Sequence, residues 1–290
     1  MKPNANTTCA YLKTHVRPFR PVAVQLLRMV RDPSADFRKV ASLIQTDPVL
    51  SMELLKIANS PILPARMEIK SVLQAIVFLG SNMVSGLVLT TCLRTLVSAR
   101  LSRSIQTCWR HNLTAALVCQ RLSGALNIPE ANAYTAGLIH DIGQLALLTA
   151  YPAYEKALTT SEERPIRLSE IEKNLFGLNH AEAGRWLLSQ WGCPVELQNA
   201  AGQHDRPLDR RSREGNLIRL VHAASEMANL MGLSVVEAIP CEDLEQIAAG
   251  LPEAAPQLTA DAFAETSEWV LTKVNGVEVS LGFAQEEQPR

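Results

Sequence analysis

The stretch LIQTDPVLSMELLKIANSP, residues 43–61, decides how the chain is read. Asp47 is placed to cap a helix N-terminus, and Pro48 suits the first helical position, where its missing N–H costs nothing. Val49, Met52 and Leu55, with Leu54, Ile57 and Ala58, recur at helical spacing and predict an apolar face. Asn59-Ser60-Pro61 ends the helix. Downstream, Ser71 is a candidate cap for VLQAIVFLG, and Gly80 suits a left-handed C-terminal position.

Outward from this stretch, strand signals are scarce and the pattern predicts an all-α protein. Residues 1–20 read as a poorly ordered lead-in. Residues 21–103 read as an N-terminal helical bundle, with VAVQLLRMV a short helix, SADFRKVASLIQT a second capped by Ser34, and NMVSGLVLTTCLRTLV a buried one. Residues 104–235 carry a second helical set. There Asn179 and Glu182 have capping-box spacing, Gly192 closes the same helix, and TTSEERPIRLSE reads as a polar loop. Residues 236–290 read as a helical C-terminal extension packed back on the body, with CEDLEQIAAGL and TADAFAETSEWVLTKVNG helical and VEVSLGF extended.

The 290 residues are 47% hydrophobic, enough for a sizeable core. The formal charge of −1 gives no global pull toward nucleic acid or an acidic membrane. Six scattered cysteines without a CxxC pair read as thiols of a reducing compartment. The N-terminus has no signal-peptide h-region, and the apolar runs are interrupted before a bilayer is spanned. A cytoplasmic protein without a membrane segment is expected.

GLIHDIGQLAL, residues 137–147, places His140-Asp141 inside an apolar run. Five of the six histidines fall in the second helical set: His111, His140, His180, His204 and His222. One buried histidine is ordinarily a satisfied core residue. One per helix, with an Asp beside one of them, is how helical bundles assemble metal sites. A divalent ion there would lower the pKa of a bound water and supply hydroxide for attack on phosphorus.

The helix order and the His…His-Asp…His…His spacing resemble the HD superfamily of metal-dependent phosphohydrolases. Residues 21 to about 235 resemble the HDOD domain, the HD-related output domain of bacterial signalling proteins. The residues that carry this are LIQTDPVLSMELLKIANSP and IKSVLQAIVFLG (69–80), which follow that family's pattern of an I-x-x-D-P-x-L helix ending in A-N-S, then S-x-x-x-A-I-x-x-L-G. The resemblance implies an N-terminal helical bundle packed on an HD-like bundle. It places His111 at the first HD histidine, His140 and Asp141 at the name-giving pair, and His180 and His204 at further ligand positions. Two positions depart from it. Gln203 stands where one of two adjacent histidines is expected, and Ser225 stands where the last Asp ligand is expected, with Glu226 about 100° away on the helix.

Each of two metals thereby loses a ligand, and Asp141 is the one carboxylate the resemblance leaves facing both. Neutral imidazoles do not offset that charge, so a two-metal cluster is disfavoured. A single ion on His111, His140 and Asp141 with water is the chemistry that survives. The alternative is a polar knot of His111, His140 and Asp141 that fixes helix packing. The resemblance therefore implies a non-catalytic signal-transduction protein with no cofactor, acting through contacts with other signalling proteins, its degenerate site a structural knot or ligand-sensing pocket. Self-association is compatible with this. The runner-up is a phosphohydrolase using one Mn, Fe, Zn or Ni ion. A third reading, a nucleic-acid-binding regulator, rests on the basic patch Arg206, Arg210, Arg211 and Arg213. The chain lacks interleaved aromatics for base stacking, the glycine-rich loop of cyclic-dinucleotide phosphodiesterases, and the P-loop, HExxH and GxSxG motifs. Nucleic acid is the least expected partner.

Overall fold

A computed structural model describes residues 4–16, 36–59, 68–80, 102–160, 168–206, 215–235, 241–252 and 258–281, with a few isolated positions between them. All regular structure among the described residues is helical.

Helix α1 spans Ala5–His15, capped by the Asn4 side chain on the Asn6 N–H. This corrects the expected lead-in. The segment reads as polar because only Thr8 and Leu12 are buried, yet Leu12 is fully enclosed and the Thr8 hydroxyl donates to the Phe176 carbonyl at 2.8 Å. Helix α2 (Phe37–Gln45) begins two residues later than expected, because Asp36 rather than Ser34 accepts the Arg38 N–H. Helix α3 (Pro48–Ala58) starts as its sequence directs, with Asp47 Oδ1 accepting the N–H groups of Val49 and Leu50.

The buried face of α3 is Leu50, Leu54, Ile57 and Ala58, while Val49 and Met52 face outward. Asn59 then gives the end of α3 its geometry. Its amide donates to the Ile69 carbonyl at 2.9 Å and accepts the Ile69 N–H at 2.8 Å, clamping the incoming chain as a sheet partner would. Helix α4 (72–80) follows, with Ser71 Oγ accepting the Gln74 N–H and Gln74 Oε1 accepting the Ser71 N–H. Gly80 has φ +77°, a conformation that costs glycine alone nothing. The expected helices over 22–30 and 82–97 lie largely outside the described residues.

The second set is built on α5 (Arg103–Leu122), whose middle, residues 111–119, is buried on every side and includes the polar His111, Asn112 and Thr114. It packs against α6 (Glu130–Ile139), α7 (Ile142–Ala150) and α12 (Asn216–Leu230). Helices α8 (Pro152–Thr160) and α9 (Leu168–Phe176) lead to α10 (His180–Gln190) and α11 (Val195–Gln203). The start of α9 lies within the segment read as a polar loop. The capping box on α10 forms, with Asn179 and Glu182 exchanging side chain to backbone bonds.

Two glycines set how closely these helices approach. A Cβ on Gly137 would lie 2.7 Å from the Ala116 Cα, so α6 rests on the backbone of α5. A Cβ on Gly143 would meet the Gly184 nitrogen at 2.5 Å and the His180 carbonyl oxygen closer still, so α7 rests on the backbone of α10. His140-Asp141 sits between these two contacts and is thereby pressed toward His111 on one side and His180 on the other.

Helices α13 (Leu244–Gly250) and α14 (Ala260–Leu281) form the C-terminal part. Helix α14 packs on α5 and on α3, tying the two helical sets together. Its outer contacts are polar, with Arg121 pairing with Glu265 and lying over the Trp269 ring. The helix runs on through Leu281, so VEVSL is not extended. Its alternating Val residues mimic a strand, and continuation from a helix already seated on α5 overrides that weak preference.

Candidate functional site

The structure brings His111, His140, Asp141, His180 and His204 into one buried cluster, each at most 6% exposed. They come from α5, the α6–α7 junction, the start of α10 and the end of α11. Ring centroids are 5.3 Å apart for His111–His140, 4.7 Å for His140–His204 and 5.3 Å for His180–His204. Two groups of potential ligands share Asp141. In one, His111, His140 and Asp141 place a donor atom each within 4.8 Å of one another, and in the other Asp141, His180 and His204 do the same.

The hydrogen bonds run outward from the cluster. His140 Nδ1–H donates to the Gly137 carbonyl at 2.6 Å, and His204 Nδ1–H to the Ala201 carbonyl at 2.9 Å. Both are contacts within the local helical turn, and both leave Nε2 as the lone-pair atom. His180 Nδ1–H donates to Glu172 Oε2 at 2.6 Å. Glu172 is fully buried, accepts the His180 backbone N–H as well at 2.8 Å, and takes a hydrogen bond from the Tyr154 hydroxyl on its other oxygen.

The inner atoms are treated differently. His111 Nδ1, His140 Nε2 and Asp141 Oδ1 are buried with no hydrogen-bond partner. The knot expected from the sequence would have joined these residues to one another. Instead, His111 Nε2 shares a hydrogen bond of 3.2 Å with Ser225 Oγ. Unpaired polar atoms of this kind are costly in a protein interior unless something else engages them. His140, His180 and His204, bonded outward through Nδ1 with a carboxylate turned inward between them, make the arrangement of a metal centre, and His111 differs in using Nε2 for its bond to Ser225. The donors fit a divalent first-row ion of the Mn, Fe, Zn or Ni type, with mixed imidazole and carboxylate ligation.

The charges follow from burial. Desolvation lowers His111 to about 4 and holds His140 and His204 well below the usual histidine range, so these three are neutral bases. Desolvation, reinforced by Glu172 and Asp205, pushes Asp141 up to about 7 against the pull of His180. His180 is the exception. Burial works against its cation, but Glu172, Asp141 and Asp205 outweigh that and raise it well above its ordinary value.

The other residues singled out in the sequence fall around this core. Gln203 ends α11, half-buried beside His204. Arg206 is exposed, and Arg210, Arg211 and Arg213 lie outside the described residues. His222, given no role from the sequence, donates from Nδ1 to the His204 carbonyl at 2.6 Å and faces Glu242 Oε2 from Nε2 at 3.2 Å. The Glu242 N–H donates to Glu226 Oε2 at 2.9 Å. The C-terminal part is thus fastened to the main chain of a pocket residue.

Sequence reasoning missed Glu172 and Tyr154. The available signal was Glu172 four residues before Phe176, a carboxylate on the buried stripe of α9. A carboxylate there requires buried donors, which His180 and Tyr154 supply.

A helical bundle that gathers histidines and an Asp from successive helices is the architecture of HD-type proteins. Comparison with known proteins narrows this, since the HDOD domain family matches residues 17–207. The chain belongs to the HDOD domain family. Solved structures share the fold. A candidate phosphohydrolase from Shewanella amazonensis SB2B aligns with a TM-score of 0.70 at 20% identity, over 97% of this chain and 99% of its own. An HDOD domain protein of unknown function from Geobacter sulfurreducens aligns at 0.68 and 20% identity, over 96% of each chain. A candidate signal transduction protein from Marinobacter aquaeolei VT8 aligns at 0.72 and 19% identity, over 97% of this chain and 61% of its own. An uncharacterized protein of Treponema pallidum (strain Nichols) is 24% identical over 184 residues, which are 62% of this chain but only 36% of that protein's length. Among the described residues, no helix is long and apolar enough to cross a membrane.

Proposed function

We propose that this protein is a non-catalytic signal-transduction component that acts through contacts with other signalling proteins, and that its HD pocket is a sensing or structural site loaded by one divalent cation. The observation that carries this reading is the burial of the whole donor set. Asp141 Oδ1 and His140 Nε2 are ready for an ion, yet they lie with the other donors beneath the surface. An ion needs only the ligands, whereas a phosphoester needs an open coordination position and a cavity shaped around it. The gaps at Gln203 and Ser225 argue the same way, because they leave too few ligands for the paired ions that clamp a transferring phosphoryl group. An ion held here would fix α5, α7, α10 and α11 against one another. It would also polarise any water bound to it, which keeps one-ion hydrolysis as the alternative chemistry.

The test is metal content by mass spectrometry on untagged protein purified without chelators, followed by assays with phosphomonoester, phosphodiester and cyclic dinucleotide probes. Close to one ion per chain, lost in Asp141→Asn, with a raised melting temperature and no turnover, is the expected outcome. Metal-dependent release of phosphate or nucleotide, abolished by Asp141→Asn, would establish the phosphohydrolase instead.

A further inference from the structure

The C-terminal part meets the pocket through one short element. Helix α13, with residues 241–243 before it, lies on α12, and within 241–252 only Ile247, Gly250 and Leu251 are buried. Three polar ties hold it. The Glu242 N–H donates to Glu226 Oε2 at 2.9 Å, Glu242 Oε2 faces His222 Nε2 at 3.2 Å, and the Gly250 carbonyl accepts from the buried Arg219 guanidinium at 2.6 Å. Gly250 also rests on the Leu208 carbonyl, which would lie 3.1 Å from an added Cβ. The element thus bridges α12 and the chain that leaves α11.

Both groups of potential ligands lead to this bridge. His204, grouped with Asp141 and His180, offers its backbone carbonyl to His222 Nδ1–H at 2.6 Å, and the same ring faces Glu242. The His204 ring is bonded to its own turn through the Ala201 carbonyl, so whatever engages Nε2 also steadies the carbonyl that His222 holds. His111, grouped with His140 and Asp141, is bonded to Ser225, which precedes Glu226 on α12. Charge works in the same direction. Burial, with the charges of Glu242 and Asp205, opposes ionisation of Glu226, so seating the bridge gathers like charges. Asp205 lies at the pocket rim, its side chain 41% exposed and 3.9 Å from His180 Nε2. A divalent cation in the pocket offsets that repulsion.

Resting on the reading that the pocket takes a cation, we propose that residues 241–251 form a strap whose seating reports pocket loading, with His222 as the relay. An ion in the pocket tightens the strap, and the strap in turn tightens the ion. The strap is suited to this because it is weakly held. A seven-residue helix with so few buried residues has little stability of its own. Elements that respond to ligands are drawn from the least stable parts of a fold. The strap also carries the state of the pocket to the surface, where Asp243, Glu245 and Gln246 are exposed.

The test is amide hydrogen exchange, read by mass spectrometry on the full chain stripped with chelator, with and without saturating Zn2+, beside calorimetric titration with Zn2+. In wild type, the ion should slow exchange over 244–251 by about fivefold or more, the lower end of the usual coupling between two sites. In Glu242→Ala, which removes the outer contact of the relay and leaves every histidine in place, most of that slowing should disappear while Zn2+ still binds. Coupling is reciprocal. Ile247→Ala, which loosens an apolar anchor outside both ligand groups, should therefore speed exchange over 244–251 and weaken Zn2+ binding, by a factor up to the slowing seen in wild type. Slowing confined to the pocket helices, with 244–251 unchanged, overturns the strap while leaving a metal-loaded pocket standing. Slowing over 244–251 that survives intact in Glu242→Ala overturns the relay in the same way. A wild type that takes up no Zn2+ overturns the functional reading itself.

Discussion

Glu172 and His180 meet twice, through the backbone N–H of His180 at 2.8 Å and through its ring Nδ1–H at 2.6 Å, both on the same carboxylate oxygen. The pair is sealed from water, and the other oxygen takes the Tyr154 hydroxyl. Removing one partner of such a pair leaves an uncompensated buried charge. Glu172→Gln should therefore lower the stability of the metal-free protein by about 3 kcal/mol, read from urea unfolding. Tyr154→Phe removes one hydrogen bond to a charged group and should cost about 1.5–3 kcal/mol. Unchanged midpoints in both variants would mean that this network does not hold α9 to α10.

Gly143→Ala reverses the usual helix rule. In an exposed helix interior, Ala stabilises by about 1 kcal/mol over Gly. Here the added methyl would fall on the His180 carbonyl and the Gly184 nitrogen, so the helices must separate. A loss of about 1–3 kcal/mol is expected, the range for overpacking. Gly124→Ala, where nothing lies within 4 Å of the new Cβ, is the control and should be nearly neutral.

His111 should contribute a distinct acid limb to stability. Its folded pKa is lowered from 6.5 to about 4, so between those values the unfolded chain takes up a proton that the folded chain refuses. Stability from this group is complete above pH 6.5 and is lost as pH falls toward 4, by about 3 kcal/mol in all. Asp141 works in the opposite direction, because its raised pKa favours the folded state at low pH. The difference between wild type and His111→Gln isolates the His111 part. That difference should narrow between pH 6.5 and 4, and a gap constant with pH would contradict it.

Metal uptake should strengthen with rising pH. Asp141, pushed up to about 7, and His180, raised well above 6.5, must both lose a proton before they coordinate, whereas His204 is already neutral. Zn2+ affinity measured at pH 6 and pH 8 should be the weaker at pH 6. Calorimetry in buffers of different ionisation enthalpy should show protons released at neutral pH. Uptake independent of both pH and buffer would exclude Asp141 and His180 as ligands.

The local code of the chain was legible wherever a cap or a turn needs one residue type. Asp47-Pro48, the Asn179–Glu182 box and the positive φ of Gly80 and Gly192 all stand as the sequence directs. The start of α2 was not legible, because Ser34 and Asp36 are both capable caps two positions apart and tertiary packing chooses between them. Helix α1 was hidden because it buries only two residues, one of them a threonine. Within the site, spacing alone nominated the histidines and Asp141. It could not show that Ser225 turns to His111, that Glu172 stands behind His180, or that Asp205 approaches from the rim, since each relationship depends on how α9, α10, α11 and α12 cross.

The crossing at Gly143 has one more implication. Helices that touch through their main chains have no side-chain layer in which to slide, so α7 and α10 share a fulcrum at the first turn of α10. Any widening of the pocket becomes a rotation about that point. The far end of α10, about 15 Å along its axis, then swings through a larger arc than the ligands themselves. Trp191 caps that end, half-buried, where the lever arm is longest.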